Sequence, residues 1–178
     1  LGLRPVRMPY GNIQVNYYRA NTGKDMFLYQ PVMLNNSGQV QVANIVDASG
    51  ILGVVMGFLD ADKAALHLGQ DALADGAYLP NGNNATVVVA DNPGQWFVTE
   101  EDTGGTLIGS ANSAGQTVSF TYLATTGNTT TGVSNVLIDR STLATTTAGI
   151  LTLIGLWDNV NQDGTMNDEP EAVLCPNG

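Results

Sequence analysis

The chain has 178 residues, a length that suits one domain with a hydrophobic core of useful size. Only 12% of its residues are charged, and 16 acidic residues against 6 basic ones give a formal net charge of −10. This charge disfavours non-specific binding to nucleic acid, and no apolar run approaches the ~20 residues that a membrane-spanning helix requires. Gly, Thr, Asn, Ser and Val are abundant, a composition that indicates an all-β protein with a neutral polar surface.

The first eleven residues, LGLRPVRMPYG, are predicted to form an extended arm ahead of a single β-domain at residues 12–178. Proline lacks a backbone donor and biases its predecessor away from the helical region, so this segment does not read as a helix. Arg4, Arg7 and Arg19 supply half of the positive charge of the chain. The segment therefore predicts either an arm that docks on a more acidic partner or an ordinary edge strand.

The central stretch Pro31–Leu59 predicts three strands joined as a β-meander. Asn35–Gly38 is a cluster of turn formers between the first two strands. The last run, Ile51–Leu59, is nearly all apolar, which in a strand indicates that both faces are covered. Gly53 and Gly57 within it indicate a bulge or a close approach of another backbone.

Outside this stretch, the residues Asp60–Leu68 predict the only short helix, with Asp60 or Asp62 as its N-cap and Gly69 just past its end. Further strands are predicted at Asn12–Arg19, Ala85–Ala90, Trp96–Val98, Val118–Leu123, Val136–Asp139 and Ile150–Trp157. In all, about eight to ten short strands with regular turns predict an all-β fold, either a β-sandwich or a small β-barrel of the β-tulip kind.

Catalytic motifs do not emerge from the sequence. The single histidine, His67, lies in the predicted helix with no second histidine to complete a zinc site, and Cys175 is the only cysteine. No glycine-rich phosphate loop precedes a helix. We therefore expect a protein without enzymatic activity or cofactor.

One acidic loop resembles part of a calcium site. Asn159, Asn161 and Asp163, followed by Gly164, have the spacing of the first ligands of a calcium loop. The twelfth position is Pro170 instead of the bidentate Glu, and the flanks are not helices. We therefore predict no metal ion and keep these three residues as a weak calcium candidate.

Short motifs with a family resemblance are spread over most of the chain: Leu1–Arg7, Tyr17–Arg19, Pro31–Leu34, Ile51–Phe58, Gln95–Asp102, Ser141–Thr147 and Leu153–Leu156. They resemble motifs of a group of tailed-bacteriophage virion proteins. The central stretch is also similar in pattern to the barrel of head-decoration proteins from lambda-like phages. The resemblance implies a capsid decoration, or cement, protein.

Such a protein binds the outer surface of the phage head and stabilises joints between subunits of the major capsid protein. The resemblance implies a location on the virion exterior and self-association as a homotrimer or else a dimer. On the charge and hydropathy grounds given above, we expect no partner among nucleic acids or membranes. The arm residues expected to contact the capsid are Leu3, Arg4, Pro5, Val6 and Arg7.

Two other classes remain open. A head–tail connector or tail-associated virion protein has the same all-β composition but far fewer copies per particle. A carbohydrate-binding β-module is the other alternative, because Trp96 and Trp157 could present aromatic platforms to sugars.

Overall fold

The computed structural model describes residues 2–7, 12–21, 23–44, 50–59, 78–102, 114–144, 150–157 and 171–176. Within these ranges every regular element is a β-strand, so the prediction of an all-β fold is confirmed. The predicted helix at residues 60–68 and the calcium candidate loop lie outside the described residues. The strands are β1 Arg4–Arg7, β2 Asn16–Arg19, β3 Pro31–Leu34, β4 Val40–Val42, β5 Gly53–Leu59, β6 Thr86–Ala90, β7 Trp96–Thr99, β8 Thr117–Gly127, β9 Ser134–Ala144, β10 Leu151–Trp157 and β11 Glu171–Pro176.

The strands form two antiparallel sheets. The six-stranded sheet has the order β1-β7-β11-β10-β8-β9, and the five-stranded sheet has the order β2-β6-β5-β3-β4. Neither is closed into a barrel, so of the two predicted architectures the structure agrees with the β-sandwich.

The five-stranded sheet curls until its two edges meet at one point. Ala20, just after β2, forms a parallel bridge with Val40 at the start of β4. The backbone N–H of Asn21 donates to the carbonyl of Val40 at 2.7 Å. The curl lets the concave face of the sheet enclose a core of its own.

Strand β5 lies at the centre of the five-stranded sheet and is covered on both sides. Successive side chains of a strand point to opposite faces, and here Val54 and Val55 are both fully buried but belong to different cores. A Cβ atom at Gly53 would lie 2.2 Å from the carbonyl oxygen of Ala90, so only glycine allows β6 to approach here. The register also shifts between Val55 and Gly57. The apolar run therefore predicted both the burial and the irregularity of β5 correctly.

Two hydrophobic cores hold the sheets together. The six-strand core is built mainly from the six-stranded sheet and contains Leu3, Ala43, Val54, Phe97, Val118, Phe120, Val136, Ile138, Leu151 and Leu153. The five-strand core contains Ala20, Met26, Val32, Val40, Val42, Val55, Phe58, Leu79, Ala85, Val87 and Val89. Tyr122 packs against both cores, and its hydroxyl donates to the carbonyl of Ala43 at 3.2 Å. Burial raises the pKa of the Tyr122 phenol well above its ordinary value, and the amide of Gln30 opposes this weakly.

The order of strands in the central stretch corrects the predicted meander. Strand β3 lies between β4 and β5, so the second strand in sequence is at the edge and not in the middle. The β3–β4 turn forms as predicted, with the side-chain oxygen of Asn35 accepting from the backbone N–H of Ser37 and Gln39 at 2.9 Å each. The physical reason is burial: the apolar β5 needs neighbours on both sides, and the three-residue β4 suits an edge.

Candidate partner-binding surface

The predicted arm forms strand β1 at one end of the six-stranded sheet. It pairs antiparallel with β7, and within the described residues no further strand lies beyond it. Arg4, Pro5 and Val6 are half-buried, and Arg7 ends the strand. Pro5 fits an edge position because it has no backbone donor to offer a neighbouring strand.

Leu3 is placed differently from the other four predicted contact residues. Its side chain is fully buried and belongs to the six-strand core. Burying a leucine contributes about 1.5–3 kcal/mol relative to leaving it exposed. Leu3 therefore ties β1 to the domain and offers no surface to a partner.

The chain enters β1 through a tight contact with Tyr29. The backbone N–H of Leu3 donates to the carbonyl of Tyr29 at 2.9 Å, and the N–H of Tyr29 donates to Val55 at 2.8 Å. Tyr29 has a positive φ of 61°, which is uncommon for a residue other than glycine. Gly2 has a φ of +89°, and a Cβ atom there would lie 2.7 Å from Cβ of Tyr29. These backbone contacts fix the position of β1 relative to β5.

The opposite end of the six-stranded sheet is strand β9, and three other segments of the chain cover it. The N–H of Gly2 donates to Val136 at 3.2 Å. Leu28 exchanges hydrogen bonds with the backbone of Gly132 and Ser134, each at 2.9 Å. The continuation of β7 lies parallel to β9 at Ile138, which bonds to the backbone of residues 100 and 102 at 2.9 Å. Strand β9 is therefore not available for pairing along this stretch.

A buried ion pair reinforces the cover on β9. The Nε atom of Arg140 lies 2.5 Å from Oε2 of Glu101, with side chains 9% and 1% exposed. The backbone N–H of Arg140 also donates to Asp102 Oδ1 at 3.2 Å. Removing one partner of a buried ion pair is costly because the other charge is left without compensation. The pair therefore locks the continuation of β7 onto β9.

A second polar cluster lies at β2, an edge of the five-stranded sheet. Asp91 accepts two hydrogen bonds from the side-chain amide of Asn16, each at 3.0 Å, and one from the hydroxyl of Tyr18. The hydrogen bond to Asp91 raises the pKa of Tyr18 to about 12, with burial and the negative charge of Asp91 adding to the effect. This cluster is more open to solvent than the Arg140–Glu101 pair, and Tyr17 beside it is 60% exposed.

Sequence reasoning missed both polar clusters. Arg140 and Glu101 are 39 positions apart, and Tyr18 and Asp91 are 73 apart. No local spacing reveals such pairs. The one available signal for the first is that Arg140 directly follows one predicted strand, Val136–Asp139, and that the acidic residues 100–102 closely follow another, Trp96–Val98.

Several other predicted features lie partly or wholly outside the described residues. These are His67 and the calcium candidates Asn159, Asn161 and Asp163. Of the two predicted sugar platforms, Trp96 is half-buried on β7, and the side chain of Trp157 is not among those described.

Across the described ranges, no group of three or more His, Cys, Asp or Glu side chains is placed to hold a metal ion. In the same ranges, no helix has the length and apolar character to cross a membrane. No protein-family model matches this chain, and neither a curated protein nor a solved structure matches it.

Proposed function

We propose that this chain is a capsid decoration protein of a tailed bacteriophage, which binds the outer face of the phage head across joints between subunits of the major capsid protein. The observation that carries the proposal is the placement of β1. The segment with the phage-like motif and two of the six basic residues is the last strand at one end of the six-stranded sheet, within the part of the chain that the structure describes. A strand in this position can accept a partner strand by β-augmentation through its remaining backbone groups, with Pro5 supplying an acceptor but no donor.

The local structure suits this role in two ways. First, Leu3 anchors β1 in the six-strand core, so that the edge is presented on a rigid element and little ordering is needed upon binding. Second, residues 4–7 contain two of the six basic residues of a chain whose formal net charge is −10, and this local excess of positive charge favours a partner whose surface carries carboxylates. Arginine binds carboxylates with two parallel hydrogen bonds, which gives orientation as well as attraction.

Self-association on the shell is part of the proposal, with a homotrimer as the first choice and a dimer as the second. Specific attachment requires about 1,200–2,000 Å² of buried surface, and simultaneous contacts by several linked copies strengthen weak individual contacts. The chain acts without catalysis and without a cofactor in this account.

Charge reversal on β1 tests the proposal better than deletion of the arm, because deletion also removes Leu3 from the core. We expect Arg7→Glu to reduce binding of the purified chain to capsids that lack it by at least about tenfold, since like charges in contact are repulsive. Co-sedimentation with the capsids measures the effect.

Arg19→Glu is the matched control, because it makes the same charge change on β2 of the other sheet, where the side chain is exposed. It should bind as the unaltered chain does. Equal loss with both variants would indicate a general charge effect and contradict the assignment to β1. The number of copies per particle distinguishes a decoration protein from a head–tail connector. Near parity with the major capsid protein fits decoration, and far fewer copies fit a connector.

A further inference from the structure

A small polar pocket lies where the two edges of the five-stranded sheet meet. Its volume is about 210 Å³, below the 300–1,000 Å³ of sites for drug-sized ligands. This size suits one side chain or one small ion. The residues that shape it are Asn21, Lys24, Gln41 and Asn44 at the wall and rim, with Met26 and Val42 beneath them.

The hydrogen bonds of the wall determine which polar atoms are left for a ligand. The side-chain oxygen of Asn21 accepts from the backbone N–H of Gly23 at 3.2 Å. A backbone N–H can only donate, so this bond fixes the orientation of the Asn21 amide and makes its nitrogen the outward donor. That nitrogen donates to Oε1 of Gln41 at 3.3 Å, which in turn fixes the Gln41 amide.

Two acceptor oxygens of the pocket are therefore engaged within the wall, while donors remain. Gln41 keeps its Nε2 group, and the ammonium group of Lys24 and the amide of Asn44 are exposed at the rim. The neighbouring carboxylate of Asp25 accepts from the backbone N–H of Asn81 at 2.7 Å. Across the described ranges, no carboxylate lies within ion-pair distance of Lys24.

The geometry points to a carboxylate-binding pocket. Donor groups and one positive charge surround a space of the size of one acidic side chain, above an apolar floor of Met26 and Val42, which are only 1% and 7% exposed. Hydrogen bonds to a charged acceptor are about twice as strong as neutral ones, so a carboxylate gains more here than a carboxamide or a sugar hydroxyl. The assignment of that carboxylate to an Asp or Glu of the capsid partner rests on the proposed function. A free small carboxylate has the same chemistry.

The test is a nuclear magnetic resonance titration of the isolated chain with N-acetyl-glutamate amide as the probe. We expect saturable shifts confined to the side-chain amide signals of Asn21, Gln41 and Asn44. The matched probe, N-acetyl-glutamine amide, differs only in replacing the carboxylate by a carboxamide and should give much weaker shifts. A flat titration, or equal shifts with the glutamine probe or with a neutral sugar, would overturn the inference.

Variants of Lys24 separate charge from shape. Lys24→Gln should weaken binding of the glutamate probe by about tenfold, since it removes the one positive charge among the residues that line the pocket. Lys24→Arg keeps the positive charge and should retain most of the affinity for the glutamate probe. Unchanged affinity of Lys24→Gln for this probe would contradict the inference. Capsid binding by Lys24→Gln distinguishes the ligand sources, because it falls only if the carboxylate belongs to the capsid. The titration uses no capsid, so failure of the proposed function and failure of this inference are seen separately.

Discussion

At one end of the six-stranded sheet, strand β9 is covered by three other segments of the same chain. At the other end, no strand lies beyond β1 in the described residues. Proteins usually protect the edges of their sheets, because an exposed edge pairs readily with another chain. Intramolecular bonds therefore satisfy the β9 end along this stretch, and the contrast is the reason why we propose β1 as the edge that a partner strand joins.

The largest effect should come from breaking the cover on β9. We expect Arg140→Ala to lower the free energy of unfolding by about 3–5 kcal/mol, because the buried carboxylate of Glu101 would lose the guanidinium group with which it pairs. Urea denaturation measures the change. Arg19→Ala on exposed β2 is the control and should stay within about 0.5 kcal/mol of the unaltered chain. A loss below about 1 kcal/mol for Arg140→Ala would contradict the locking role of the pair.

The next effect concerns the anchor of β1. Leu3→Ala should cost about 2–5 kcal/mol, since it leaves a cavity in the six-strand core. Leu123→Ala is the matched control at a leucine that is 55% exposed, and it should change stability by no more than about 0.5 kcal/mol. Equal stability of the two variants would show that β1 is not held by the core. Because β1 would also lose its fixed position, capsid binding should weaken in Leu3→Ala even where the domain remains folded.

The smallest effect is expected at β2, where the polar cluster is open to solvent. Tyr18 has an ordinary pKa of 10.0 that the fold raises to about 12, so its contribution to stability is complete below pH 10 and is lost as the pH rises towards 12. Absorbance titration of tyrosinate should show this group titrating late, and Asp91→Asn should return its pKa towards 10, since the hydrogen bond to Asp91 is the main cause.

Burial also raises the pKa of Tyr122, so a tyrosine that titrates late is not by itself Tyr18. The signal of Tyr18 is therefore identified by comparing the alkaline titration of the unaltered chain with that of Tyr18→Phe. At neutral pH Tyr18→Phe should cost only about 0.5–1.5 kcal/mol, less than is typical of a hydrogen bond to a charged group, because solvent screens the partly exposed pair. An identical alkaline titration with and without Tyr18 would count against the Tyr18–Asp91 interaction.

Much of the fold could be predicted from local patterns. The apolar run of β5 predicted its burial on both faces, and Gly53 predicted the close approach of another backbone, which is that of β6. The turn formers Asn35–Gly38 predicted the β3–β4 turn. In each case the residues that carry the signal lie within one short stretch of the chain, although the contacts that β5 makes are with distant residues. The predicted order of β3, β4 and β5 is wrong, because the alternation of side chains identifies a strand but does not specify which strands lie beside it.

The candidate surface was predictable only in part. The basic, proline-containing segment predicted an extended strand, but nothing in LGLRPVR indicates that Leu3 packs beneath the sheet while the next residues lie at its edge. The cover on β9 depends on Gly2, Leu28 and Glu101, which come from three distant parts of the chain. Such contacts arise from the way the sheet curls, and no single stretch of sequence contains them.

The most direct test of the central claim is a cryo-electron microscopy map of particles that carry this chain. We expect density on the outer shell at joints between major capsid subunits, with strand β1 as the part of the domain nearest to the shell. Density confined to the portal or tail, or a domain attached through β9 with β1 facing solvent, would contradict it.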